Sequence, residues 1–525
     1  MSSTDITSDD KGLRAASLNL GTSIVVGVSS TAPGYSIAAT LGYIVAYVSF
    51  QSPAIVLLGF LPILGIAYAY RELNRETPDC GTTFTWGTRV FNPWVGWMGG
   101  WGYIAASIIG MASVSQIAGQ YFFLMFGLDD QANSAAWVTG GGVAWIIILT
   151  WVSWKGVQTS ARLQYVLLTI EMVVLLVFSV IALTKVYTGN AGPDSVHPQA
   201  SWFNPFAIVN DAGQLNISAI SGGILLAVFL YWGWDSSVSL NEETIDPGKT
   251  PGRAAVLSTL ILLGIYALTS VACLAYVGAD SMSESDDVLA IVGEQVLGAN
   301  LDKFLIFAVL TSAAASTQTT VMPTARTLLS MAAYKALPKK FADVHKKNLT
   351  PGFATIFTGA ISIVFFVGLA AISTDVLGDA TEAVGLLVAF YYGMTGFSAV
   401  WHFRHRPGSN AREILTRIFA PLFGGLVLLF VFIKTAIDDY NPENSTTTVT
   451  LLGHEMGTIF VIAVGSLLLG VVLMMWSARK SADFFAGKVL NRHTPIVVAE
   501  HVFADTESLG LPDASDRENT VIPPE

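Results

Sequence analysis

Charge is what this chain has least of. Of 525 residues, only 12% are Asp, Glu, Lys or Arg, about half the share of a soluble domain. So little charge cannot clothe several globular domains in a polar surface, and a string of soluble domains is excluded. Cysteine is almost absent. Cys80 and Cys273 fall on different predicted segments, so there is no disulfide framework and both read as reduced thiols. Positive charge is outweighed: 27 Lys and Arg face 38 Asp and Glu, a net charge of -11. That balance excludes a nucleic-acid partner. The 7 histidines show no metal-ligand spacing, and His402 and His405 stand beside Arg404 and Arg406 in a basic stretch. There is no phosphate-binding glycine loop and no nucleophile elbow. Neither an enzyme nor an ATP-driven pump is expected, and no cofactor or metal is implied.

What is present in quantity is apolar surface: 52% of residues are hydrophobic and the mean hydropathy is +0.57. A membrane helix needs about 20 residues with few charges. Ala15 to Tyr70 holds no charged residue at all, enough for two spans with a turn near Gln51, Ser52 and Pro53. Further spans are expected at Pro93–Leu128, Ser134–Trp154, Leu163–Thr184, Ala212–Trp234, Ala254–Gly278 and Phe304–Ala325. Phe353–Ile372, Ala383–Trp401, Ile418–Ile433 and Gly457–Ala478 complete twelve. The expected fold is an all-α integral membrane bundle. A channel would need a continuous polar pore, whereas the polar positions concentrate in the middle of the spans.

With the N-terminus inside, every Lys and Arg except Lys185, Lys303 and Lys434 falls in an inner loop or a terminus. The reverse orientation would violate the positive-inside rule. Residues 1–10 carry three aspartates and no basic cluster, so no signal peptide is read there. The resulting organisation is a cytoplasmic segment over 1–14, a transporter domain over 15–478 and a largely disordered cytoplasmic tail over 479–525.

Two spans carry marks of interruption. Span 1 contains Ser29-Ser30-Thr31-Ala32-Pro33-Gly34, where proline removes a helix bond and glycine tolerates unusual dihedrals. Span 6 contains Tyr231-Trp232-Gly233-Trp234-Asp235-Ser236-Ser237. Each alone is also compatible with a kinked, continuous helix. Five spans apart, the two run antiparallel, which is the arrangement an inverted repeat of five helices produces.

These stretches resemble the amino acid–polyamine–organocation permeases, over roughly residues 12–480. The likeness lies in the Gly27–Gly34 stretch and in Glu72-Leu73 with Pro78 and Gly81 after span 2. It continues in Gly233-Trp234-Asp235-Ser236-Ser237 with Asn241-Glu242-Glu243-Thr244, Pro247 and Pro251, and in Pro323-Thr324-Ala325-Arg326 on span 8. The resemblance implies a leucine-transporter-type fold, with spans 1–5 and 6–10 as inverted repeats and two peripheral helices. It also implies alternating access for a small amine-bearing solute, an amino acid first and a putrescine-like polyamine or an amino acid exchanger as the alternatives. Amides near Ser29, Ser30 and Thr31 would then hold a substrate carboxylate, with Gly34 also among the substrate-binding residues. Carbonyls near Trp232 and Gly233 would take the ammonium, with Phe229 as an aromatic gate. The site is implied to lie in a cell-membrane permease with both termini cytoplasmic.

Two acids sit deep in the spans. Glu171 is the only charge in span 5. An uncompensated intramembrane charge is costly, which leaves two readings: a proton carrier, or a permanently protonated acid bonded between helices. Asp235 follows the span 6 break, as a counter-charge for a cationic substrate, a gate or a helix cap. On span 8, Thr311 and Ser312 resemble the hydroxyl pair that binds sodium in sodium-coupled relatives, while Ser312, Ser316, Thr319 and Thr320 share a face that would also glue helices together. The coupling ion is therefore expected to be a proton, with sodium as the alternative. Tyr391 and Tyr392 read as packing residues.

Overall fold

The structure, a computed structural model, describes residues 11–495 apart from 286, 299, 300, 446 and 452; residues 1–10 and 496–525 lie outside it. An N-terminal arm opens the fold. The Ser17 and Leu18 N–H groups reach Glu243 O at 2.8 and 3.0 Å, and Ile245 N returns to Leu18 O at 2.8 Å. The arm is thereby stitched to the loop after the second broken helix.

Helix α1 (Leu20–Thr31) starts in a capping box between Asn19 and Thr22. It stops at Ala32, whose φ of 50° and ψ of 74° are left-handed. Two causes converge there. A residue before proline is pushed out of the right-handed region, and Pro33 begins α2 (Pro33–Val48) with its φ already set for a helix. A tight turn at Ser49–Gln51 leads to α3 (Ser52–Glu76), with Pro53 in its first turn. Then come the short α4 (Thr83–Val90) and the long α5 (Pro93–Met125), capped by Asn92. Single-turn α6 (Asp129–Ala132) precedes α7 (Ala135–Lys155), and Gly156 at φ 125° separates it from α8 (Val157–Tyr187).

The second half opens as the first does, on a broken helix. α9 (Ile217–Leu230) ends where Gly233 takes φ 122°, and α10 (Ser236–Ser239) resumes after it. α11 (Thr250–Ser283) bends at Gly278, and α12 (Val288–Leu297) is a short apolar helix that sequence periodicity did not single out. α13 (Asp302–Ala333), α14 (Gly352–Ile372) and α15 (Val376–Phe403) follow. α16 (Ala411–Ile414) runs through a wide turn into α17 (Ala420–Tyr440), and a small hairpin of Thr448–Leu451 with His454–Gly457 leads to α18 (Thr458–Lys480) and α19 (Ala482–Phe485).

Among the described residues, ten segments are long and apolar enough to cross a membrane. Twelve crossings require that Leu20–Glu76, 57 residues long, be counted as two and the interrupted Ile217–Ser239 segment as one. The core sits around α5, which packs against α13 and α15, with α3 against α11. Outer faces of α8, α14, α17 and α18 expose Val173, Val364, Leu426 and Val472, apolar side chains suited to lipid. Several boundaries differ from the sequence expectation: span 7 is Thr250–Ser283 and span 10 starts at Val376. Span 8 runs on to Ala333, carrying Arg326 inside the helix instead of in a loop, because Glu243 supplies its counter-charge there. The first part of the expected tail is folded: Phe484 and Leu490 are buried, and Arg89 Nη1 donates to Thr494 O at 2.6 Å.

Candidate functional site

The two breaks meet. A Cβ at Gly233 would stand 2.7 Å from the Ser30 carbonyl atoms, so only glycine allows this approach, and its positive φ makes the same demand. Ser30 Oγ and Ser236 Oγ lie 2.6 Å apart. Both hydroxyls also approach Thr319 O, at 3.5 and 3.3 Å, and Ser316 Oγ donates to Ser30 O at 3.2 Å. The hydroxyl face of α13 thus ties both broken helices together. Ser29, Ser30 and Thr31 belong to the last turn of α1, so their N–H groups serve its helical ladder and its carbonyl end faces the break.

Glu171 stands at the start of α2. Its Oε1 accepts from Gly34 N at 2.6 Å and from Ser312 Oγ at 2.7 Å. Tyr35 N in turn donates to Ser312 Oγ at 3.1 Å. One carboxyl therefore links α8, the break in the first helix and α13. It is wholly buried, and among the described residues its Oε2 has no hydrogen-bond partner. A carboxylate suits the positive end of a half-helix. Thr311, beside Ser312, turns its hydroxyl back to Ala308 O at 2.9 Å. The structure brings Ser312 to Glu171 but does not join Thr311 to that pair.

Asp235 lies on the other side of the meeting point, buried among rings. Trp232 Nε1 donates to Tyr391 Oη at 2.7 Å, and Tyr391 Oη donates to Asp235 Oδ2 at 3.1 Å. Oδ1 has no hydrogen-bond partner. Tyr391 packs on Tyr392 and Tyr103 at centroid distances of 4.7 and 5.3 Å, and Trp234 on Tyr392 and Tyr70 at 5.2 and 5.1 Å. Phe229 contacts the Tyr35 ring at 6.3 Å and Trp232 at 6.1 Å. Tyr35 Oη reaches Ser113 at 2.7 Å, which is 3.0 Å from Thr381. Phe229, Trp232 and Tyr35 form an aromatic layer beside the break.

Sequence reasoning gave Tyr391 and Tyr392 a packing role only, yet Tyr391 orients Asp235 from 156 residues away. It also assigned no role to the cluster around Lys11. Lys11 Nζ lies 2.7 Å from Asp79 Oδ2 and 2.6 Å from Glu242 Oε1, with Cys80 Sγ at 3.6 Å. Arg326 pairs with Glu243, Nε to Oε2 at 3.0 Å. Burial works against the charge of Asp79, but Lys11 overrides it and holds the carboxyl down at about 2. Burial raises Glu242 in spite of Lys11. For Lys11 itself desolvation opposes the charge, and the neighbouring acids outweigh it and raise the ammonium well above its usual value. The signal was present as Asp79 in the loop and the Glu242-Glu243 pair, but nothing local joins these to residue 11. Asp79, Cys80 and Glu242 have the spacing of a metal site, with the Lys11 ammonium already between them.

Two interrupted helices meeting at a buried polar centre, inside an apolar bundle, are the arrangement of a multi-pass membrane transporter. The particular family follows from comparison with known proteins. The family model described as amino acid permease matches residues 14–464, and the chain belongs to that family. An uncharacterised transporter of Mycobacterium tuberculosis is 26% identical over 393 residues, covering 73% of this chain and 79% of that one. The low-affinity putrescine importer PlaP of Escherichia coli is 24% identical over 439 residues, 81% and 88% of the two chains. The arginine/ornithine antiporter of Latilactobacillus sakei is 23% identical over 373 residues, 70% and 75%.

Proposed function

We propose that this chain is a secondary active permease of the cell membrane that imports a small amine-bearing solute, an amino acid or a polyamine, by proton symport with alternating access. Both termini lie on the cytoplasmic side, as the placement of Lys and Arg favours. The substrate sits between the two breaks, against Ser29–Thr31, Trp232, Gly233 and the Phe229 ring, with its ammonium directed to Asp235. The relatives' printed names, a putrescine importer and an arginine/ornithine antiporter among them, support an amine as the common element.

One observation carries the coupling: Glu171 holds the half-helix N-terminus at Gly34 through one oxygen and leaves the other unpartnered. Adding or removing a proton there changes the force on α2, a helix that must tilt if access alternates. The Glu171–Ser312 contact favours the proton over sodium, since Ser312 is engaged by the carboxyl and Thr311 by its own helix.

The test is Glu171→Gln in proteoliposomes. The amide keeps an acceptor for Gly34 N and removes the titration. Substrate–substrate exchange should persist, while accumulation driven by an imposed pH gradient should fall to the level of passive exchange. Full accumulation by the variant sinks the coupling assignment.

A further inference from the structure

We infer that the transported solute carries no carboxylate: it is an organic amine whose ammonium is met by Asp235, and Glu171 is the residue that sets this selectivity. The inference rests on the amine-permease reading above and narrows its substrate class.

A substrate carboxylate arriving at the breaks needs free N–H donors or a cation. The start of α2 is the natural place to find donors, because a helix leaves its first N–H groups without internal partners. Here none is spare. Pro33 has no N–H. Gly34 N is bonded to Glu171 Oε1 at 2.6 Å, Tyr35 N to Ser312 Oγ at 3.1 Å, and Ser36 N to Ala32 O at 2.8 Å. The chain has placed its own carboxyl where a ligand's would go. Gly34 fits the same arrangement, since its Cβ position would lie only 3.5 Å from Glu171 Oε1.

Cations are no more available. Among the described residues, the buried basic side chains are Lys11 and Arg326. Lys11 is engaged by Asp79 and Glu242. Arg326 gives Nε and Nη2 to Glu243 and Nη1 to Met322 O. Neither stands at the breaks.

The complementary capacity is present instead. Asp235 is 1% exposed, and among the described residues its Oδ1 has no hydrogen-bond donor within 3.5 Å, although the Tyr392 hydroxyl also acts on the carboxyl. A buried polar atom left in this way is costly unless something completes it. Tyr391 bonds to it, and Tyr392, Tyr103 and Tyr70 pack in the same ring cluster; aromatic faces attract ammonium and shield its charge from lipid. A zwitterionic amino acid would satisfy Asp235 with its ammonium and bring its own carboxylate to the start of α2, where Glu171 and Ser312 already hold the N–H groups. A monoamine or diamine brings no such group.

Direct uptake by the wild-type protein in proteoliposomes tests this with matched pairs that differ only in the carboxylate: ornithine and 1,4-diaminobutane, lysine and 1,5-diaminopentane, leucine and 3-methylbutylamine. The amine of at least one pair should be taken up faster than its amino acid by roughly tenfold or more, the consequence of burying one unpaired carboxylate. Uptake of the amino acids at equal or greater rates overturns the inference and leaves the permease reading standing. Uptake of no member above protein-free vesicles overturns both. A second arm uses Glu171→Ala, which frees Gly34 N–H, and reads ligand binding by thermal shift. Discrimination within a pair should drop several-fold; unchanged discrimination in a folded variant removes Glu171 as its cause.

Discussion

Glu171 accepts two donors on one oxygen, from Gly34 and Ser312, whereas Asp235 takes Tyr391 on Oδ2 and has no donor within 3.5 Å of Oδ1 among the described residues. These two carboxyls have opposite tasks, and residue-scale predictions follow from the difference. Asp235→Asn should cut uptake of cationic solutes far more than uptake of neutral ones, because only a charge gains Coulomb energy from the carboxylate. Equal losses across both classes would make Asp235 a structural cap. Lys11→Met should cost roughly 3–5 kcal/mol of unfolding free energy, since it strands two buried acids. The pH dependence has a definite sign. Asp79, held at about 2, contributes stability that is present above its unfolded value of about 3.9 and lost as pH falls toward 2. Lys11, raised well above 10.5, contributes stability present below that value and lost only as pH rises through its folded one. The gap between wild type and Lys11→Met should thus be greatest near neutral pH and shrink in acid. Glu242, whose burial keeps it above its usual range, loses its charge first. Thermal unfolding in detergent across pH reads this out; a gap that widens in acid contradicts it. At this scale the sequence was half legible. Glu171 stood out as the lone charge of its span, but its partners Gly34 and Ser312 are 137 and 141 residues away, and no local pattern encodes such pairings.

At the scale of elements, each break has its own cause. Ala32 is forced by the proline that follows it, and Gly233 by the approach of the Ser30 backbone. They should respond differently to substitution. Ala32→Gly removes the cost of a left-handed alanine, about 1 kcal/mol, and should leave uptake intact or stabilise the protein slightly. Gly233→Ala places a methyl 2.7 Å from a backbone carbonyl that cannot swing aside, and adds strain at φ 122°. It should lower the melting temperature and abolish uptake. Normal uptake by Gly233→Ala would mean the helices do not meet as described. The first break is written in the sequence, because Pro33 is visible within an uncharged run. The second has only one glycine among aromatic residues, a common membrane pattern, and it was its relation to the first that made it readable. The fate of Arg326 was not readable: a span that accommodates an arginine needs a counter-charge, and Glu243 comes from a loop 83 residues earlier.

For the molecule as a whole, composition settles the environment, and the run of uncharged segments gives the bundle. The site needed contacts among α1, α8, α10, α13 and α15, which composition does not contain. An apolar cavity of about 460 Å³ between α5, α13, α14 and α18 is lined by no charged side chain, so it offers an amine no counter-charge. If Glu171 loads a proton each time the solute crosses, transport must move protons even with no gradient imposed. The most direct measurement is therefore proton influx into sodium-free proteoliposomes, followed with a trapped pH-sensitive dye after outward addition of the transported amine. The account predicts solute-dependent acidification of the lumen by the wild type and none by Glu171→Gln, although the variant still exchanges solute. Solute uptake without acidification, or uptake that requires sodium, would contradict it.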